Sequence, residues 1–446
     1  MPETMTRVCA AHGVETRLQC AECGDPICLR CQVRTEVGLK CPRCAALPDS
    51  AVPRRRWANG MLAAGLGAVV IAVVALVVVL RVLPASPTRT APPPPPPVGH
   101  WRALPDLAVI RGGTSAVLVH GRVLAVGGGI GAIPLAGSEL FDPATQSWSP
   151  SGNLHDARRG NSTVILPDGR VFTAGGISSG VVLASAEVWD PLTGQWAVTA
   201  PMHQARFNNI LEVLNDGRVL AAGGTAANTT ASLASAEIYD PRANTWTETG
   251  PLLTSRSDAA AVRLGDGRIL VVGGFTEQQG SATTISSAEI YDPVVGVFTR
   301  VASMQQARQD FTLTGLSRGR VLASGGSAGS DALASAEVFD PATGGWTPTG
   351  SMGQPRRLQS ASVLPDGEVL VAGGEFVSSG QRSSLTSAEL YQPDLGQWRP
   401  AASMSCPRSA QAQVTLPMGS VIVIAGDAAF PGQPPQAQGC SELYTR

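Results

Sequence analysis

A chain of 446 residues with 50 Gly, 34 Pro and only 15% charged residues describes a turn-rich β protein rather than a helical one, and is too long for one small core. The net charge of −1 conceals two unlike ends: residues 1–56 carry nine Lys+Arg against six Asp+Glu, whereas residues 100–446 carry 22 Arg against 28 Asp+Glu. No basic stripe interleaved with aromatics occurs, which excludes nucleic acid as a partner, and the single lysine, Lys40, against 32 arginines reads as the codon bias of a GC-rich, bacterial type of genome.

Residues 1–48 hold seven of the nine cysteines in pairs: Cys9 with His12, Cys20 with Cys23, Cys28 with Cys31, and Cys41 with Cys44. Two residues between ligands let both side chains of a tight turn meet one tetrahedral zinc ion, so eight ligands predict two zinc ions in closed, structural sites. The metal would supply folding energy that so short a segment cannot obtain from a core. A disulfide framework is the other reading of these cysteines, and His12 in register with them favours zinc. The pattern resembles the B-box and related cross-brace zinc fingers, and the knuckles found ahead of membrane helices in some bacterial proteins. That resemblance implies Cys9, His12, Cys28 and Cys31 on one ion and Cys20, Cys23, Cys41 and Cys44 on the other, while sequential pairing stays open. Reduced thiolates suit the cytoplasm.

A basic linker, residues 49–60, leads to an uncharged run from Met61 to Leu80, closed by Arg81. Twenty such residues as a helix cross a hydrocarbon layer of about 30 Å, so 61–81 is predicted to be a single transmembrane helix. A cleaved signal peptide fits badly, because the run is too long and starts too late; a buried soluble helix is the alternative. Arg54, Arg55 and Arg56 ahead of the run, against Arg81 and Arg89 behind it, favour a cytoplasmic N-terminus. Residues 82–99 contain six consecutive prolines and read as an extended stalk, or less well as a ligand for a proline-binding domain.

From residue 100 onward the chain repeats with a period of about 50 residues. One unit runs from Arg158 through STVIL, PDGR, VFTAGG and SAEVWDP to GQW, which reads as four short strands joined by Asp-Gly and Asp-Pro turns. The diglycine begins at Gly127, Gly175, Gly223, Gly273, Gly325 and Gly373, with a degenerate copy at Ala425 and Gly426; the third-strand glutamate recurs at Glu139, Glu187, Glu237, Glu289, Glu337, Glu389 and Glu442. Both series give seven units. The fourth-strand aromatic appears at Trp148, Trp196, Trp246, Phe298, Trp346 and Trp398, and each is followed ten residues later by an arginine. The seventh unit stops before its aromatic, and Trp101, ten residues ahead of Arg111, supplies it. The first strand of the domain is therefore predicted to enter the last sheet and close the ring, removing exposed edges.

These motifs resemble the kelch family across residues 100–446, including the version in the propeller of galactose oxidase. The resemblance implies an all-β, seven-bladed kelch-type β-propeller, a fold that serves enzymes, adhesins and adaptors alike. Within the units only the segment between diglycine and glutamate varies in length, from 11 to 16 residues. It shares a face with the arginines Arg111, Arg158, Arg206, Arg256, Arg308, Arg356 and Arg408. Two readings of that ring are open: it grips an anionic ligand or acidic peptide, as matching arginines do in some kelch domains, or each arginine satisfies the glutamate of its own unit.

A galactose oxidase-like copper site needs histidines and a ligating tyrosine. The five histidines are His12, His100, His120, His155 and His203, and Tyr239, Tyr291, Tyr391 and Tyr444 share one repeat position where packing is the expected role. No enzyme is therefore expected. Asp258, Asp310 and Glu375 escape the repeat consensus and read as solvated loop acids. Cys406 and Cys440 bracket the seventh unit as a disulfide or as two buried thiols. The sequence thus predicts a single-pass membrane protein with the propeller outside the cytoplasm, binding a protein, peptide or glycan, and a zinc knuckle that meets a cytoplasmic partner. A carbohydrate-active enzyme and a transmembrane sensor are the alternatives.

Overall fold

The computed structural model describes residues 98–446 apart from 228–229, 279 and 379–380, together with four short strands nearer the N-terminus. Those four form two antiparallel pairs, Arg7–Val8 with Glu15–Thr16 and Val33–Thr35 with Gly38–Lys40. The eight expected zinc ligands and the expected span at 61–81 lie outside the described residues. Among the described residues no helix is long and apolar enough to cross a membrane.

Residues 98–446 form seven four-stranded antiparallel sheets, whose innermost strands neighbour one another in a closed circle. In the second strand of each sheet the sequence runs continuously apolar instead of alternating, as in Val219–Ala222 and Ile269–Val272, and these strands are buried throughout. A strand covered on both faces requires this pattern, and both faces are covered because each blade packs on the next. Phe172 and Ala174 of the second blade, for example, share one core with Val219, Tyr239 and Trp246 of the third.

The ring closes as the repeat arithmetic predicts. His100–Leu104 is the fourth strand of the last sheet, in the order Ala412–Thr415, Val421–Ile424, Ser441–Thr445, His100–Leu104. Trp101 lies opposite Tyr444 with ring centroids 5.1 Å apart, matching the 5.1 Å between Trp246 and Tyr239 in the third blade. Its indole N–H donates to the Ala402 carbonyl of the sixth blade at 2.7 Å, just as Trp246 donates to Ala200 of the second at 2.8 Å. Cys406 and Cys440 are joined as a disulfide with Cα atoms 6.7 Å apart, tying the two flanks of the seventh blade.

The seven arginines are interior rivets. Each is 0–1% exposed, and each sends one guanidinium nitrogen to the glutamate of its own blade at 2.6–3.0 Å. The other terminal nitrogen donates to two main-chain carbonyls, as Arg256 does to Gly273 and Ser287. Meanwhile the arginine's main chain bonds to the preceding blade: Arg256 N–H donates to Leu233, and its carbonyl accepts from Gly224. The glutamate also takes two N–H bonds from the approaching chain, Leu253 and Thr254 in the case of Glu289. Of the two readings the geometry fits internal pairing, because both terminal nitrogens of every guanidinium are engaged within its own blade, while the buried Nε of Arg206, Arg308 and Arg356 has no partner.

This crossing explains the diglycine. Gly223 and Gly224 have φ of +64° and +95°, and a Cβ on either would lie 2.6 Å or 2.8 Å from the carbonyl oxygen of Arg256 or Phe207. A residue with no side chain meets so close a backbone in that conformation without strain; the seventh blade keeps the positive φ with Ala425 in the first place.

Candidate functional site

Two residues beyond each arginine the chain turns inward through a left-handed conformation: Gly113, Gly160, Asn208, Asp258, Asp310, Leu358 and Ala410 all have φ between 50° and 60°. These seven stand side by side at one end of the central channel. The Asn208 N–H donates to Gly160, Leu358 to Asp310, Ala410 to Leu358 and Gly113 to Ala410, at 2.9–3.3 Å. All of them except Gly113 rim a cavity of about 320 Å³ on the face that carries the loops of varying length. In six blades those loops form separate two-stranded hairpins, longest in the fourth and sixth, Phe275–Gln278 with Ser281–Thr284 and Glu375–Ser378 with Gln381–Ser384, whereas in the third blade Thr225–Ala226 pairs with Arg206–Phe207.

The backbone of the rim repeats, while its side chains do not. Asp258 and Asp310 occupy neighbouring blades. Burial pushes the Asp258 carboxyl up to about 7, the charge of Asp310 adds to that, and a hydrogen bond with Asn208 opposes it. Asp310 is raised by burial too, with Arg357 and Gln309 pulling it back and Glu375 adding to the rise. One step outward, Glu375 is 2% exposed and holds Arg357 at 2.7 and 3.0 Å. Asp427 beyond it is raised by burial and by Glu375, against Arg159. The acids that the sequence marked as outside the consensus are thus gathered on one side of the mouth and are not solvated loop acids. Sequence reasoning missed the gathering because nothing in the repeat spacing shows that the position two beyond the arginine converges on the axis; their common offset from Arg256 and Arg308 was the available signal.

The tyrosines sit away from this mouth, as packing residues. Tyr239, Tyr291, Tyr391 and Tyr444 are 1–3% exposed, and their hydroxyls bond to Asn244, Thr249, Thr349 and the Val98 carbonyl. His203 is paired with Glu237 at 2.9 Å and His100 with Thr445 at 2.7 Å. Among the described residues no three His, Cys, Asp or Glu side chains are grouped to hold a metal.

The opposite face carries the tight turns, and the chain enters the ring there. Val98 and Gly99 precede Trp101 where the Asp-Pro turns precede the aromatic in the other blades, and Val98 bridges to Ala401.

Comparison with known proteins agrees with this architecture. A solved fungal alcohol oxidase, described as showing catalytic diversity within the AA5 family and as being in complex with copper, superposes with a TM-score of 0.64 over 78% of this chain and 76% of its own, at 19% identity. That identity speaks for the fold alone. No curated protein matches the chain. The family model described as the kelch motif matches residues 158–203, 213–253, 256–305, 314–353 and 356–405, half of the whole chain. With the diglycines, the buried arginine–glutamate pairs and the seven closed blades in view, this chain belongs to the kelch-repeat family.

Proposed function

We propose that the propeller is a non-catalytic binding module that takes a protein, peptide or glycan ligand on the loop face, over the channel mouth. In this reading it stands outside the cytoplasm on the span at 61–81, and the zinc knuckle of residues 1–48 meets a cytoplasmic partner. The observation that carries the reading is the contrast at the mouth. The backbone repeats seven times within a few degrees, while the side chains run Gly, Gly, Asn, Asp, Asp, Leu, Ala. Variation presented on a rigid scaffold is where recognition resides.

The test is photocrosslinking from the full chain in its native envelope, with the reactive residue placed at Ala282 or Arg382 on the loop face, or at Leu192 or Leu395 on the turn face, alongside a glycan array. Discrete adducts from the loop positions alone, or glycan binding lost on shortening the 276–283 hairpin, support the reading. Equal adducts from both faces with no glycan bound would end it.

The carbohydrate-active alternative draws on one observation, the raised carboxyl of Asp258 beside Asp310, since such carboxyls serve as proton donors in enzymes. It requires turnover of a polysaccharide that Asp258→Asn abolishes.

A further inference from the structure

The other end of the channel is lined differently. Three residues before the first position of each diglycine, the second strand carries Leu or an equivalent residue, and the innermost strand sets one side chain against it. In blade order those side chains are Val117, Val164, Glu212, Val262, Thr314, Ser362 and Val414. Four are valine, two are small and hydroxylated, and one is a glutamate. Glu212 lines a cavity of about 590 Å³ whose walls include Val117, Val164, Ile165, Val262 and Val414. Its carboxylate has no hydrogen-bond or ion-pair partner among the described residues. Valine fills the equivalent place in four other blades, so packing alone does not call for the half-buried carboxyl of Glu212 at this point of the channel.

We propose that this end of the channel binds a primary alkylammonium group, its nitrogen on the Glu212 carboxylate and its hydrocarbon chain against the valines. An anion would be repelled, a purely apolar guest would gain nothing from the carboxylate, and a metal ion would find one acidic ligand. Mostly apolar walls with a few polar groups are the usual make-up of a small-molecule site; the polar groups here are Glu212, Gln413, Thr415 and Arg263, and Glu212 is the one acid among them. The site is at the opposite end of the channel from the loop face and does not depend on what that face binds.

The charges around Glu212 are few. Of the flanking strands, Ser162–Ile165 carries no ionisable side chain, and Ala260–Arg263 carries Arg263, exposed, with its guanidinium donating to the Val213 carbonyl at 3.1 Å. The pairing strand Val219–Ala222 and the remaining inner strands carry none. Burial lifts Glu212 to about 7, against the pull of Arg263. An ammonium group must displace that proton at lower pH, so affinity should fall about tenfold from pH 8 to pH 6.

The test is calorimetric titration of the full chain in nanodiscs with n-butylamine, n-butanol and butyrate, using the wild type, Glu212→Val and Glu212→Gln. Saturable one-to-one binding of n-butylamine is expected at pH 8, about tenfold weaker at pH 6 and at least tenfold weaker in both variants. The Glu212→Val variant, which installs the residue of the other blades, should melt no lower than the wild type. A second arm titrates a capped Leu-Lys-Leu peptide: Glu212-dependent binding of the peptide assigns the ammonium to a lysine side chain, and binding of butylamine alone assigns it to a free amine. Butanol binding as tightly as butylamine, unchanged butylamine affinity in both variants, or no saturation in the wild type would overturn the proposal.

Discussion

Replacing Arg256 by methionine isolates what one rivet contributes. Arg256 and Glu289 are both 0% exposed and 2.6 Å apart. The substitution keeps much of the volume but leaves Glu289 as a buried charge with only the Leu253 and Thr254 N–H groups to hold it. Breaking one partner of a buried pair costs about 3–5 kcal/mol. At about 2.1 cal/mol/K per residue over roughly 350 residues, the unfolding entropy is about 0.7 kcal/mol/K, so the melting temperature should drop by about 4–7 °C. The assay is thermal and urea unfolding of Arg256→Met, Glu289→Gln and the double variant. The double variant keeps an acceptor for one of the two N–H groups while removing the stranded charge, and should be at least about 2 kcal/mol more stable than the sum of the single losses implies. A melting temperature within about 1 °C of the wild type, or strict additivity in the double variant, would refute the view of these pairs as what fastens blade to blade.

Reduction of the Cys406–Cys440 disulfide, or Cys406→Ser, should cost about 3–4 kcal/mol by loop closure over a separation of 34 residues; unchanged urea unfolding under reductant would count against it. Trp101→Ala removes the ring packed at a tilt against Tyr444 and the N–H bond to Ala402 and should cost about 3–5 kcal/mol, read as loss of cooperative melting; a fully cooperative, unshifted melt would mean the ring does not depend on that closure. Asp258 titrates near 7 in the fold and near 3.9 when unfolded. The stability from its protonated form is complete below about pH 4 and lost as pH rises through about 7. Asp258→Asn should therefore gain on the wild type between pH 5 and pH 8, and a pH-independent difference would exclude that titration. Metal analysis of the full chain should find about two zinc ions, lost together on replacing Cys20 and Cys28; one ion or none would remove the knuckle.

The fold was legible because its determinants are local and repeated. Diglycines at fixed offsets, an aromatic ten residues before each arginine, and a missing seventh aromatic supplied by Trp101 suffice to count blades and place the closure. The pairing of Arg with Glu was legible only as one of two readings, since spacing shows that both lie near one face but not whether the guanidinium turns inward. Burial decided it: an arginine that donates to Gly273, Ser287 and Glu289 has no N–H group to offer a ligand. The mouth was least legible. Asp258 and Asp310 lie 52 positions apart and become neighbours only when the fourth and fifth blades bring equivalent turns to the axis. Nothing in the sequence singles out Glu212, because register, not composition, sets it among valines.

A seven-fold frame also constrains where discrimination can reside. A contact repeated in every blade, such as the arginine–glutamate pair, presents the same chemistry at each step around the axis and cannot tell one orientation of a ligand from another. Orientation can be read only where blades differ at equivalent positions. At the mouth they differ in sectors: bare backbone at Gly113 and Gly160, amide and carboxyl at Asn208, Asp258 and Asp310, then hydrocarbon at Leu358 and Ala410. A ligand with one donor-rich end and one apolar end meets a single favourable setting on such a rim, because turning it by half the circle would bury its polar end against Leu358 and strand its apolar end on the carboxyls, at a cost of about 1–3 kcal/mol for each unsatisfied polar group. The rivets make this selectivity possible by holding the rim still, and the substitutions that carry it need no change in the frame.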